Sequence, residues 1–221
     1  MNAKEKALIE AKANVLKALG HPTRLWMAEQ RAKARASWAG TGEAKDAKIW
    51  FELAEAHGAT EFLGYDTETA EGVVLALVKD GAGIGAAETG TTVQIVVNQT
   101  PFYGESGGQV GDEGEIIGAD FRVKIIDTIK PAGDLIVHVG EVMHGTLRPG
   151  VEALFEVDAV RRQAIACNHT ATHILQAVLR ESLGTHVKQA GSLVAPQRLR
   201  FDFTHFEAVT EDQLRDIEAK V

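Results

Sequence analysis

The chain holds a single cysteine, Cys167, among its 221 residues, so no internal disulfide can form. That agrees with a reducing compartment. No apolar run approaches the length of a membrane span, and Met1-Asn-Ala-Lys-Glu-Lys lacks the apolar segment of a signal peptide. Internal repeats and low-complexity tracts are missing too. The glycine run Gly81-Ala-Gly-Ile-Gly-Ala-Ala has no Lys-Ser/Thr after it, so it reads as a loop and only weakly as a phosphate cradle. These exclusions leave a soluble, cytoplasmic protein of one to two domains, without membrane attachment and long enough to bury a substantial core.

Each end of the chain is poor in charge of one sign. Residues 1–49 hold ten Lys or Arg against five Asp or Glu, whereas residues 50–221 hold thirteen against twenty-six. A net charge of −8 disfavours non-specific nucleic-acid binding, although a local basic face can still hold a phosphate backbone. The candidates are Arg31, Lys33 and Arg35 near the front, and Arg161, Arg162, Lys188, Arg198 and Arg200 further on. Simple solvation of helix faces is the alternative for all of them.

Three regions separate by pattern: 1–57, 58–157 and 158–221. The first is alanine-rich, with Ala7, Leu8, Ala11, Val15, Leu16 and Leu19 at helical spacing, a break at Gly20-His-Pro-Thr-Arg, and a later helix containing Ile49, Trp50 and Leu53. Its tryptophans read as core anchors. The second region consists of short β-branched runs: Gly72–Val78, Thr92–Val97, Gly114–Ile117, Phe121–Ile126, Asp134–Val139 and Val151–Val157. Gly, Pro and Asp separate them, with hairpin turns at Lys130–Asp134 and Arg148–Gly150, which predicts a small antiparallel β-barrel or sheet. In the third, a helix runs from Ala159 to about Leu183 and stops at Gly184, Leu199–Phe203 is a strand, and Thr210 with Gln213 forms a capping box. The fold class is therefore α+β: a helical segment, the barrel, and a subdomain built around a long helix.

That helix carries His169 and His173. Residues four apart project from one helical face, so the pair can offer two neutral nitrogens to one divalent metal. A metal site needs at least three protein ligands, and two polar residues on a solvated face is the competing reading. Cys167 precedes His169 by two positions and so points away from it, which suggests a packed thiol rather than a ligand or nucleophile.

The words around the histidines extend the reading. Asn168-His-Thr-Ala-Thr-His173-Ile-Leu-Gln-Ala-Val-Leu-Arg-Glu, His186-Val-Lys-Gln189-Ala-Gly-Ser-Leu-Val194, Leu199-Arg-Phe-Asp-Phe203 and, upstream, Thr100-Pro-Phe-Tyr-Gly-Glu-Ser-Gly-Gly-Gln-Val-Gly-Asp112 resemble, in order, the editing domain of alanyl-tRNA synthetases and its free-standing relatives. The resemblance runs from about Ala28 to Val221. It implies hydrolysis of the seryl or glycyl ester wrongly attached to tRNA(Ala), with the tRNA 3′ end as partner. A synthetic pocket cannot strongly reject a smaller amino acid or one that adds only a hydroxyl, so a second, hydrolytic site is needed. The resemblance further implies zinc held by two helix histidines, matched by His169 and His173, and by a later Cys-x-x-x-His pair. It makes Thr172 the residue that senses the serine hydroxyl and Gln189 the one that fixes the aminoacyl group or the attacking water. Gly107, Gly108 and Gln109 match a glycine loop whose backbone approaches the ligand, and Arg200 is a substrate-binding candidate.

Two features do not follow that pattern. No Cys-x-x-x-His occurs after Gln189, which leaves His186 and His205 as the nearby imidazoles, either as extra ligands or as structural residues. The ATP-binding aminoacylation core of the synthetase is not recognisable, so ATP is expected only in the parent enzyme. Over residues 1–29, Val15-Leu-Lys-Ala-Leu-Gly-His-Pro-Thr-Arg-Leu-Trp-Met27 instead resembles the opening of an arsenic-repressor-type winged-helix regulator. No recognition helix or wing follows Gln30, so a join near residues 28–30 without DNA binding is expected, an ordinary helical hairpin being the alternative. The competing functional classes are a hydrolase fragment, an inactive remnant or RNA-binding module, and a regulator.

Overall fold

Helix α1, Glu43–His57, opens the part of the chain described by the computed structural model, residues 43–221. The expectations for residues 1–42, including the helical segment, Trp26, the basic cluster of Arg31, Lys33 and Arg35, and the regulator-like stretch, lie outside the described residues. The helix ends where Gly58 adopts a left-handed conformation and its N–H caps the carbonyl of Ala54 at 2.9 Å. Trp50 is buried against Val78, Val96, Ala132, Leu135 and Val137, as expected of a core anchor.

Seven strands make up the main sheet that follows: β1 (Thr69–Lys79), β2 (Ala82–Ile84), β3 (Thr92–Val97), β4 (Gly114–Ile117), β5 (Arg122–Ala132), β6 (Leu135–His144) and β7 (Glu152–Val157). They pair antiparallel in the order β7-β4-β5-β6-β3-β1-β2. Pairing of β7 with β1, through Glu152 opposite Val73, closes all but β2 into a barrel. Period-two alternation decides which side chains go inside: Val123 and Ile125 on β5 and Ala153, Phe155 and Val157 on β7 are buried, while Arg122 and Lys124 stay outside. The inward set of Val74, Leu77, Ile95, Phe102, Ile116 and Phe155 belongs to one continuous apolar core.

Most strand borders agree with the β-branched runs, and the turn at Gly133-Asp134 falls within the expected hairpin. One stretch differs. The glycine run read as a loop contributes β2, because Asp80 and Gly81 take φ of 51° and 72° and form a tight hairpin with β1. Asp-Gly suits such a turn, since both central residues need positive φ.

Helix α2, Ala159–Leu183, starts at Asp158, whose side chain accepts the Arg161 N–H at 2.9 Å, and stops at Gly184. Beyond it, β8 (Gln189–Ala195) and β9 (Arg198–Phe203) form a two-stranded antiparallel sheet. Helix α3, Glu211–Lys220, begins with the expected Thr210–Gln213 capping box. Val178, Leu179, Val187 and Ile217 make a second, smaller core between these elements. Residues 47–221 form one compact unit.

One buried polar group carries a pH dependence. His138 of β6 lies inside the barrel wall, where Nδ1–H donates to the Ile95 carbonyl (3.4 Å) and Nε2 accepts from Thr100 Oγ1 (2.8 Å). Burial disfavours its charged form and lowers its pKa from the ordinary 6.5 to about 4, the Ile95 carbonyl opposing that shift. Above pH 6.5 the ring is neutral in both folded and unfolded chains. Between 6.5 and about 4 only the unfolded chain takes up the proton, so stability falls as the pH falls and levels off below about 4. We expect urea-unfolding free energies in this window to decline by up to about 1.4 kcal/mol per pH unit more steeply in the native chain than in His138→Gln. Equal slopes would contradict the assignment.

Candidate functional site

The site begins where α2 leaves the barrel. Arg161 and Arg162, read as a phosphate-binding or solvated face, are instead spent on the loop between β3 and β4. Arg161 donates to the Gly111 carbonyl (2.8 Å) and pairs with Glu113 (2.9 Å). Arg162 donates from Nε to Asp112 Oδ2 (3.1 Å), and its Nη2 reaches the same oxygen and the Pro101 carbonyl. Asp112 is 1% exposed, and Oδ2 also accepts the Tyr103 N–H at 2.7 Å. A carboxylate this buried needs such charge-assisted partners.

This anchorage delivers the glycine loop to the histidines. Gly107 and Gly108 both take left-handed backbone conformations, at φ 61° and 88°. At Gly108 a β-carbon would stand 2.5 Å from the Ser192 carbonyl oxygen, so a side chain there would push β8 away. The close approach lets Gly108 O accept the Val194 N–H (2.7 Å) and Val110 N–H donate to Val194 O (3.1 Å). The requirement for glycine at 108 therefore comes from strand packing. Gln109 then emerges on the helix side, with Oε1 2.7 Å from His169 Nδ1.

His169 and His173 face each other with Nε2 atoms 3.0 Å apart. An Nδ1–H donated to Gln109 leaves Nε2 of His169 as a lone-pair donor, the arrangement by which a second partner orients a metal-binding imidazole. Two nitrogens about 2.0–2.1 Å from a tetrahedral zinc lie roughly 3.3 Å apart, so a small side-chain adjustment fits the pair to two corners of such a site. Among the described residues no group of three or more His, Cys, Asp or Glu could hold a metal ion. His186 and His205 do not extend the pair. They hydrogen-bond each other (Nε2 to Nδ1, 2.8 Å) and stack, with Phe206 on His186.

The other candidates are held by hydrogen bonds of their own. Gln189 Nε2 donates to Ser192 Oγ (2.9 Å), which in turn donates to the Gly107 carbonyl (3.3 Å), so Gln189 joins the glycine loop through one hydroxyl. Thr172 shares the helical face of His169 by its three-residue spacing, and its hydroxyl donates to the Asn168 carbonyl at 2.8 Å. Arg200 is an exposed residue of β9 paired with Asp202 (3.1 Å), and none of its hydrogen bonds ties it to the histidines. Cys167 is exposed, not packed. Ile165, two positions earlier, takes the buried face of α2, and two residues turn the helix about 200°.

Sequence reasoning gave no role to Asp112, Asn168 or Ser192, and did not connect Arg162 to the loop. Asn168 Nδ2 donates to the carbonyl of Ala195 (2.7 Å) and ties α2 to the end of β8. Arg162 precedes His169 by seven positions and so shares its face, a usable signal; its partner 50 residues upstream has none. A cleft of about 440 Å3 opens beside His169 and Gln109, with Phe62, Tyr65, Tyr103 and Ile165 among its walls.

Comparison with known proteins identifies the family. The model of the family described as tRNA synthetases class II (A) matches residues 16–161, beginning inside the regulator-like stretch and ending within the first turn of α2. The chain is similar to the alanine--tRNA ligase of Cereibacter sphaeroides (strain ATCC 17025 / ATH 2.4.3), at 59% identity over 195 residues, covering 88% of this chain and 22% of that protein. The alanine--tRNA ligase of Rhodopseudomonas palustris is 58% identical over 192 residues, 87% of this chain and 22% of its own. That of Paracoccus denitrificans is 58% identical over 195 residues, with coverages of 88% and 22%. The chain thus spans about a fifth of the length of the curated relatives it matches. With more than half of its residues inside the family model and such similarity to these ligases, the chain belongs to the class II (A) tRNA synthetases, as a fragment of the alanyl type.

Proposed function

We propose that this segment carries the editing site of an alanine–tRNA ligase and, in the complete protein, hydrolyses seryl and glycyl esters of tRNA(Ala) in the cytoplasm. The observation supporting this most strongly is the 2.7 Å contact of Gln109 with His169, which joins two motifs 60 residues apart at one point. Ester hydrolysis needs a positioned acyl group, a positioned water and stabilisation of the developing oxyanion. Gln189 directs its amide nitrogen to Ser192, which leaves its carbonyl oxygen to accept from a water or from the substrate ammonium group. Thr172 donates its proton to Asn168, so its remaining lone pairs can accept from a serine hydroxyl. His169 and His173 would hold zinc, which when bound polarises a carbonyl or a water. Gln109 keeps His169 in the tautomer and orientation suited to that role.

ATP belongs to the aminoacylation reaction of the parent synthetase, and no residue here is proposed to hold it. The alternative reading is a chain that binds RNA without turnover.

Two outcomes follow. Zinc should bind this chain weakly and be lost to a mild chelator on dialysis, because two imidazoles leave the other coordination positions to water. Replacing His169 and His173 together with Ala should shift stability by less than about 0.5 kcal/mol in urea titrations, as expected at exposed positions. Stoichiometric zinc surviving dialysis would contradict this. In a form extended to include a Cys-x-x-x-His pair, Thr172→Val should slow deacylation of seryl-tRNA relative to glycyl-tRNA roughly twofold to tenfold, the equivalent of one hydrogen bond at about 0.5–1.5 kcal/mol. His169→Ala should slow both. Equal losses in Thr172→Val would remove Thr172 from the sensing role.

A further inference from the structure

We propose that the outer edge of β9 is a self-association surface, which pairs antiparallel with β9 of a second copy of this chain about Phe201. The two strands of the small sheet differ in their edges. Val194 of β8 donates its N–H to the Gly108 carbonyl and accepts from the Val110 N–H, so the glycine loop takes one side of β8 and β9 the other. Among the described residues no strand pairs with the far edge of β9. Val194 stands opposite Leu199 and spends its backbone groups on the loop, and Thr204 N–H donates to the Lys188 carbonyl. Backbone groups alternate in direction along a strand, so those of Arg198, Arg200 and Asp202 face β8 and those of Leu199, Phe201 and Phe203 face outward. Such a row of free N–H and carbonyl groups, on six residues without Pro or Gly, is a template for another strand. The open edge of the barrel sheet lacks this capacity, since β2 is three residues long and includes Gly83.

The side chains select both occupant and register. Arg198, Arg200 and Asp202 are exposed on one face of β9, and Leu199, Phe201 and Phe203 are half-buried on the other. Only outward-facing residues can exchange hydrogen bonds with a symmetric partner, so the two-fold axis passes through Leu199, Phe201 or Phe203. About Phe201, Arg200 stands across from Asp202 of the second copy and Asp202 across from its Arg200. These are the close, non-hydrogen-bonded positions, where opposite charges stabilise a sheet. About Leu199, Arg198 would instead face Arg200, and like charges directly opposite are unfavourable. About Phe203 the strands would overlap at that residue alone. Arg200 now pairs with Asp202 of its own strand at 3.1 Å, with the side chains 64% and 47% exposed, a contact worth little and readily exchanged. Two such edges bury less than a standard interface, so the association is weak and needs a high chain concentration. It is independent of the chemistry at His169.

Sedimentation equilibrium of the full chain, from about 10 μM to about 1 mM, should show monomers passing into dimers. Amide hydrogen exchange followed by NMR should slow with concentration at Leu199, Phe201 and Phe203 and stay constant at Arg200 and Asp202, which are already bonded to β8. Arg200→Asp and Asp202→Arg, each alone, set like charges opposite one another at both symmetric positions. Either should weaken the dimer roughly tenfold or more. Mixing the two variants in equal amounts sets acidic against basic side chains again and should restore association. Both positions are exposed, so neither variant endangers folding. A chain that stays monomeric at every concentration overturns the proposal. So does an undiminished dimer in either variant, a mixture that associates no better than its components, or a dimer whose β9 amides exchange as they do in the monomer.

Discussion

The ion pair between Asp112 and Arg162 is the contact on which the geometry of the site depends. It joins the loop leaving the barrel to the first turn of α2, and it is made where Asp112 is almost wholly removed from water. A buried pair of this kind adds little net stability compared with a well-packed apolar one, but loss of one partner strands the other charge at a cost of about 3–5 kcal/mol. Its effect is therefore one of specification. Arg162 meets both Asp112 and the Pro101 carbonyl from the first turn of α2, and that placement puts His169, two helical turns on, opposite Gln109. Glycine at 108 serves the same end from the other side by letting β8 approach the loop.

The arrangement divides labour between rigid and open parts. Barrel, loop and helix are held by buried side chains and by backbone pairing through Val194. The side chains proposed to meet substrate, Gln109, Gln189, His169 and Thr172, are exposed or half-buried and hang from that frame. Catalytic groups are best placed in this way, since their positions are set by the scaffold while their polar atoms stay available.

Much of this was legible in the sequence. Alternating β-branched runs predicted the barrel strands because an antiparallel strand with one buried face leaves a period-two trace, as in Arg122–Ile125. The spacing of His169 and His173 predicted their shared face because helix geometry is local. Strand β8 was missed because Gln189-Ala-Gly-Ser is small and polar, and its strand state comes from pairing with β9 and the loop rather than from propensity. Pairing of His186 with His205, and of Arg162 with Asp112, left no trace because contacts between residues 19 and 50 positions apart are set by tertiary packing. Exposure of Cys167 could have been read from its position two residues past Ile165, had the buried face of α2 been known.

The most direct measurement is the imidazole nitrogen NMR spectrum of His169 in the native chain and in Arg162→Met, with the buried His138 ring as monitor of an intact barrel. If the Asp112–Arg162 pair positions the helix, His169 is the Nδ1–H tautomer in the native chain, and in Arg162→Met that preference disappears while the His138 signals persist. An unchanged His169 tautomer in Arg162→Met, with the barrel intact, would show that the histidine helix is placed by other contacts and would contradict the account.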